Sequence, residues 1–175
     1  MKKVSDIHAI KIIFFITACY VGLWAIRIPT IKDQLQTDYV GVGYIMLSFA
    51  IGSIVAMIFA NALILKTSTK SILTCTLIAE GCLWLPVPFI QELWLFMVFS
   101  FVFGMSYGAF EIACNVYASN LEVREKKSMM SGFHAFWSLG VLFGSLITSF
   151  LLEWNYSFIF NILLYVFILL PLSLY

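Results

Sequence analysis

Long apolar stretches separated by short polar segments run along most of this chain. The stretches are too continuous for strands of an outer-membrane barrel, in which apolar and polar residues alternate. A helix satisfies its backbone hydrogen bonds internally and can therefore cross lipid, so the pattern predicts an all-α, polytopic membrane protein. The six predicted transmembrane helices cover approximately residues 7–26, 40–65, 71–88, 93–118, 132–152 and 157–172.

The composition also indicates that the chain lies in a lipid bilayer. With 62% hydrophobic and 11% charged residues and a mean hydropathy of +1.00, the chain has too little polar surface to cover a water-soluble globule. A transmembrane helix needs roughly 20 apolar residues, so a chain of this length accommodates about six. We therefore expect one helical bundle over residues 1–175. The net charge of +1 excludes a nucleic-acid partner, which requires clustered cations.

The positions of the cations predict the orientation. If the six helices alternate in direction, eight Lys and Arg residues lie on one side of the membrane and two on the other. Because cations are enriched in cytoplasmic segments, the N-terminus is predicted to be cytoplasmic. The eight are Lys2, Lys3, Lys11, Lys66, Lys70, Arg124, Lys126 and Lys127, and the two are Arg27 and Lys32.

The sequence contains no pattern typical of an enzyme. Its four cysteines lie in apolar stretches without the spacing of a metal site or a CxxC motif, and we interpret them as packing residues. The segment "GVG" at 41–43 lacks the third glycine of a dinucleotide-binding loop. We therefore expect no catalytic activity, cofactor or bound metal.

Small residues recur every four positions on three of the predicted helices. Such stripes allow two helix backbones to approach closely inside a membrane. They are Ser48, Gly52, Ala56 and Ala60 on the second helix, Gly104 and Gly108 on the fourth, and Gly140 and Gly144 on the fifth.

A glutamate continues the stripe of the fourth helix. Gly104, Gly108, Glu111 and Asn115 are spaced by four, three and four residues and thus share one helical face. A charged side chain at this depth costs roughly 2.5 to 3.5 kcal/mol, so it usually faces a partner or a water-filled cavity on an ion or substrate path. The alternative is a neutral acid that links helices by a structural hydrogen bond.

Other polar residues are candidates for contact with a solute. Arg27, at the outer end of the first helix, either extends to the interface or contacts substrate. His134 and Ser138 form a second polar face near the cytoplasmic end of the fifth helix, whereas Glu80 is interpreted as structural. The remaining predicted cavity residues are Tyr20, Trp24, Asn115 and Asn161.

Several of these segments resemble the N-terminal half of a major facilitator superfamily transporter. They are "WAIRIPTIKDQL", the small-residue stripe of the second helix, "EIACN" and "SGFHAFWSLGVLFGS". Within that superfamily, they resemble the branch of fucose-permease-like sugar:proton symporters and related bacterial inner-membrane permeases. The resemblance implies that Glu111 couples transport to protons, that Asn115 contacts the sugar, and that the protein is a multi-pass protein of the bacterial cytoplasmic membrane.

The sequence also departs from the pattern of that superfamily. Its cytoplasmic gating loop between the second and third helices usually reads Gly-x-Leu-x-Asp-Arg-x-Gly-x-Arg, and residues 61–70 read "NALILKTSTK". Lys66 and Lys70 fit the two cationic positions, whereas Leu65 replaces the acid. Superfamily transporters rock two six-helix halves about a midplane site, and this sequence encodes one half. No cationic linker follows "LLPLSLY".

Three interpretations therefore remain open. The chain is one half of a proton-coupled transporter that works with a second half or as a homo-oligomer, a truncated transporter that moves nothing, or a membrane scaffold or assembly protein. An adjacent reading frame with six further helices would favour the first, and a frameshifted continuation would favour the second. Tolerance of an apolar residue at Glu111 would favour the third.

Overall fold

The computed structural model describes residues 2–173, without the side chains of residues 2–5, 60–63, 65, 170, 172 and 173. Throughout that range the regular structure is helical and contains no strand, which confirms the predicted all-α fold. The helices are α1 (Lys2–Gln34), α2 (Tyr39–Lys66), α3 (Thr69–Trp84), α4 (Leu93–Glu125), α5 (Met130–Glu153) and α6 (Phe158–Ser173), with a 3₁₀ turn at Val87–Phe89.

In the described part of the chain, five segments are long and apolar enough to cross a membrane, and Phe158–Leu169 of α6 forms a shorter apolar helix. Two helices extend beyond their predicted apolar stretches. Helix α1 continues through Pro29 to Gln34, although proline lacks the N–H that would bond to the carbonyl of Ala25. Helix α4 continues to Glu125. Hydropathy detects the part of a helix that fits the hydrocarbon layer, and polar turns can extend that helix on either side.

Residues in or near the connections cap the ends of the helices. Asp38 accepts a hydrogen bond from Gly41 N at 2.9 Å at the start of α2, and Ser68 accepts one from Ser71 N at 3.1 Å at the start of α3. Glu122 accepts hydrogen bonds from the backbone of Met129 and Met130, where α5 begins. The residues with left-handed backbone after α1, α4 and α5 are Gln36, Lys126 and Asn155.

The chain divides into two packing units. The first contains α1 as far as Arg27, α4 from Cys114 onward, α5 and α6. In this unit α1 and α5 pack backbone to backbone: a Cβ added at Gly140 would overlap the carbonyl oxygen of Phe15, and one at Gly144 that of Cys19. Gly22 makes the reciprocal contact with Val141 and Gly144. The predicted close approach at Gly140 and Gly144 is confirmed.

The second unit contains α1 from Ile28, α2, α3 and α4 as far as Ala113. Here α2 and α4 pack closely, because a Cβ at Gly104 would overlap the carbonyl oxygen of Phe49 and one at Gly52 that of Phe101. A Cβ at Gly108 would likewise overlap the Ser53 carbonyl. The stripes predicted on the second and fourth helices are therefore the two sides of one interface, with Ala60 lying outside the described side chains.

Candidate solute-binding site

Glu111 and Asn115 lie one turn apart on α4, and the side chains of both are half-buried. Neither side chain makes a hydrogen bond or an ion pair with any residue that the structure describes. A carboxyl group with a structural role between helices is expected to have such a partner. This geometry leaves both groups available to water, a proton or a solute.

Arg27 and Asn161 are brought together in the first packing unit. The Arg27 Nε donates to Asn161 Oδ1 at 3.0 Å, although the two residues are 134 positions apart in sequence. One Nη group lies 3.4 Å from the carbonyl oxygen of Tyr156, and the guanidinium lies 5.3 Å from the ring centroid of Phe158. Arg27 is only 2% exposed. Its guanidinium is thus enclosed by protein groups and does not extend to an exposed helix end, as a snorkelling side chain would.

A second polar network links α5 and α6 in the same unit. Tyr165 donates its hydroxyl hydrogen to the carbonyl oxygen of Gly144 at 2.6 Å, and its oxygen lies 3.0 Å from Thr148 Oγ1. The ring of Tyr165 lies 6.0 Å from that of Tyr20, a predicted cavity residue that is buried. Trp24, on the following turn of α1, is half-buried.

His134 lies far from the pair formed by Arg27 and Asn161. It is exposed near the start of α5 and packs edge-on against Phe14, with ring centroids 5.4 Å apart. Ser138, the other residue of the predicted polar face, donates to the His134 carbonyl at 3.1 Å. Arg27 contacts Tyr156, beyond the other end of α5, and the part of α5 after His134 is roughly 30 Å long at 1.5 Å per residue. One small solute cannot contact both ends.

The predicted gating residues lie in the second unit. Lys66 is the last residue of α2 and Lys70 lies in the first turn of α3, and both are exposed. Asn61, Leu63 and Leu65 of the same segment have side chains outside the described set. Glu80, interpreted as structural, is buried on α3.

Two features of the structure were not predicted from the sequence. Gln34 donates from Nε2 to the carbonyl oxygens of Val87 and Ile90, which ties the end of α1 to the segment after α3. The hydrogen bonds between Tyr165, Thr148 and Gly144 were also missed. A threonine in the apolar α5 was the available signal, but spacing along one helix does not reveal a partner on another. No group of three or more metal-binding side chains occurs among the residues described.

These helices define a multi-pass membrane protein with polar groups inside its packing units. Residues 12–175 match the family model of the Major Facilitator Superfamily, and the chain belongs to that family. This membership confirms the resemblance to the superfamily that the sequence showed.

The curated relatives are transporters by name. An uncharacterized MFS-type transporter of Yersinia pestis is 28% identical over 145 residues, which cover 81% of this chain and 37% of the relative. An uncharacterized transporter of Sinorhizobium fredii is 25% identical over 141 residues, which cover 75% of this chain and 35% of the relative. The chain thus spans little more than a third of the length of these relatives. No solved structure matches it.

Proposed function

We propose that this chain forms the N-terminal half of a secondary transporter that moves a small solute across the bacterial cytoplasmic membrane together with protons. Family membership supports membrane transport in general. The observation that carries the coupling proposal is the half-buried Glu111 carboxyl, which has no hydrogen-bond or ion-pair partner among the described residues. An ionisable group inside a membrane protein usually marks an ion or substrate path.

Glu111 is the proposed proton carrier. Burial in a low-dielectric environment favours the neutral form of a carboxyl group, and access to water favours the charged form. A cavity that opens alternately to the two sides of the membrane changes this access in each cycle. The carboxyl group therefore takes up a proton facing one side and releases it facing the other.

The proposed solute contacts are Tyr20, Trp24, Arg27 and Asn161, with Asn115 as a further contact along the solute path. All five belong to the first packing unit, and two of them, Arg27 and Asn161, are hydrogen-bonded to each other. Tyr20 and Trp24 precede Arg27 on α1, and a combination of aromatic and hydrogen-bonding side chains suits a solute with apolar faces and polar edges, such as a sugar. His134 does not belong to this set, because it lies at the opposite end of α5 from Arg27 and Asn161.

The proposed topology places the N-terminus in the cytoplasm. An ion pair within the first packing unit supports this arrangement, because Arg124 Nη2 near the end of α4 lies 2.9 Å from Asp6 Oδ2 near the start of α1. Both of those helix ends carry cations, as expected of cytoplasmic segments. The connection between α2 and α3, with Lys66 and Lys70 as proposed gating residues, then faces the cytoplasm as well.

Cysteine labelling tests this topology. In a chain whose native cysteines are replaced, Lys70→Cys and Lys127→Cys are expected to react with a membrane-impermeant maleimide only in inside-out vesicles. Trp154→Cys, in the connection between α5 and α6, is expected to react in intact cells. All three positions are exposed in the structure, so a failure to react reports sidedness rather than burial. Reaction of Lys70→Cys and Trp154→Cys from the same side would contradict the six-helix topology.

We expect the 175-residue chain alone to catalyse no proton-driven uptake. Alternating access requires two bundles that rock about a shared cavity, and this chain covers 37% of its Yersinia pestis relative. The purified chain, reconstituted in liposomes with an inward proton gradient, is compared with liposomes that also hold a second six-helix bundle. Crosslinking in the same liposomes reports whether two copies of the chain associate. Uptake by a chain shown to be monomeric would overturn the proposal that the chain is one half of a transporter.

A further inference from the structure

The buried cation Arg27 has only neutral hydrogen-bond partners among the described residues. Its side chain is 2% exposed, and no carboxylate of the described residues lies within ion-pair distance of it. A buried charge is usually paired, because its removal from water costs several kcal/mol. The partners that the structure provides for Arg27 are neutral: an amide oxygen of Asn161, the carbonyl oxygen of Tyr156 and the ring of Phe158.

Arg27 also lies beside a helix end that disfavours a cation. Helix α6 begins at Phe158, where Ser157 Oγ accepts a hydrogen bond from Phe160 N. The N-terminus of a helix carries partial positive charge and attracts anions. The guanidinium over the Phe158 ring therefore adds a full positive charge to an end that is already electropositive.

The hydrogen bonds of this cluster leave donors unused. Because Arg27 Nε donates to Asn161 Oδ1, the amide nitrogen of Asn161 must point elsewhere, and this buried Nδ2 has no acceptor among the described residues. Nε and one Nη of Arg27 are directed at Asn161 and Tyr156, while further N–H groups of the guanidinium have no acceptor in the described structure. Two planar groups thus hold unsatisfied donors side by side.

We propose that Arg27 and Asn161 bind an oxyanion, the carboxylate or phosphate group of the transported solute. An oxyanion accepts several hydrogen bonds at once, matches the planar fork of a guanidinium, and neutralises the charge next to the N-terminus of α6. This inference rests on the proposed function, since it names the class of solute that the transporter takes. It restricts the proposed solute to one that carries an acidic group.

Binding can be tested on the full 175-residue chain in detergent, without any transport. The thermal midpoint of unfolding is followed by tryptophan fluorescence at constant pH and ionic strength. Glucuronate is compared with glucose, which differs from it by the absence of the carboxylate, and glucose 6-phosphate tests a phosphate group. A ligand that binds only the folded chain raises the midpoint in a concentration-dependent way. We expect at least one of the two anions to raise it, and glucose to have no effect.

Substitutions then identify the residues. Arg27→Gln removes a charged donor and is expected to raise the half-maximal concentration of the active anion at least about tenfold. Arg27→Lys keeps the charge without the planar fork and is expected to retain part of the response. Arg124→Gln is the matched control, because Arg124 is an exposed arginine paired with Asp6 and Glu125. It should leave the anion response unchanged.

Each outcome decides the inference. Equal responses to glucose and to both anions, or no response to either anion, would overturn it even if Arg27→Gln failed to fold, because the unsubstituted chain alone supplies that comparison. An anion response equal in Arg27→Gln and in the parent chain would also overturn it. The inference would also be overturned if only added phosphatidylglycerol, and neither soluble anion, gave a response that depends on Arg27. The bound oxyanion would then be a lipid headgroup. Anion binding by the chain, together with an absence of flux in liposomes that also hold a second six-helix bundle, would support this site and contradict the transport proposal.

Discussion

Replacing Glu111 with glutamine is expected to abolish accumulation of solute against its gradient while exchange of solute across the membrane continues. Glutamine keeps the size and the hydrogen-bonding capacity of the side chain but cannot titrate. If the proton crosses on this carboxyl group, its removal uncouples the two fluxes without closing the solute pathway. The half-buried position of Glu111, which has no hydrogen-bond or ion-pair partner in the described structure, is the basis of this expectation.

The measurement uses vesicles from cells that express the chain together with a second six-helix bundle that restores flux. The solute is one that the unsubstituted assembly accumulates. Accumulation is measured at two external pH values, and equilibrium exchange is measured in the same vesicles. Glu111→Asp keeps the acid and should retain part of the accumulation. Glu80→Gln, a change of the buried glutamate on α3, is the matched control and should retain coupling. Intact accumulation in Glu111→Gln would show that Glu111 is structural.

Asn115→Ala is expected to act on a different step. The amide lies one turn from Glu111 on α4 and, like it, has no hydrogen-bond partner among the described residues. Its removal should weaken solute binding more than coupling, so the concentration for half-maximal exchange should rise while the pH dependence of accumulation stays. A change of pH dependence without a change of half-maximal concentration would assign Asn115 to the proton path instead.

Gly104→Ala is expected to destabilise the pair formed by α2 and α4. The added Cβ would overlap the backbone carbonyl of Phe49, and a backbone atom cannot move aside as a flexible side chain does. Separating two packed helices to admit a methyl group costs roughly 1 to 3 kcal/mol. It also weakens the close contacts that hold membrane helices together where no hydrophobic effect acts between them.

Gly43→Ala provides the control for this change. Gly43 lies on α2, and a Cβ there would meet nothing within 4 Å. Alanine is the better helix former by about 1 kcal/mol, so this substitution should be neutral or stabilising. Both variants are unfolded with increasing sodium dodecyl sulfate and followed by circular dichroism. Equal unfolding midpoints for Gly104→Ala and Gly43→Ala would show that the close contact of α4 with α2 is absent in the membrane.

Particular residues show how far the sequence determined the candidate site. Periodicity identified the face that carries Glu111 and Asn115, and the positions of Arg27 and Asn161 in the predicted helices made them candidates for solute contact. The hydrogen bond between Arg27 and Asn161 joins positions 134 residues apart, and no local pattern encodes it. His134 resembled the other candidates in sequence, yet most of the length of α5 separates it from Arg27 and Asn161.

Hydropathy by itself determined that the chain is helical and where most helices lie, because every backbone polar group in lipid must be satisfied within its own segment. It did not determine where α1 and α4 end, since a helix can continue into polar surroundings. Glycine spacing likewise determined which faces pack closely. The tertiary structure alone decided that α2 packs on α4 and α1 on α5, and that Glu111 and the Asn161 amide nitrogen have no hydrogen-bond partner within the described chain. Pairing between distant segments depends on the shape and the hydrogen-bond donors of both surfaces, whereas a sequence pattern describes each segment separately.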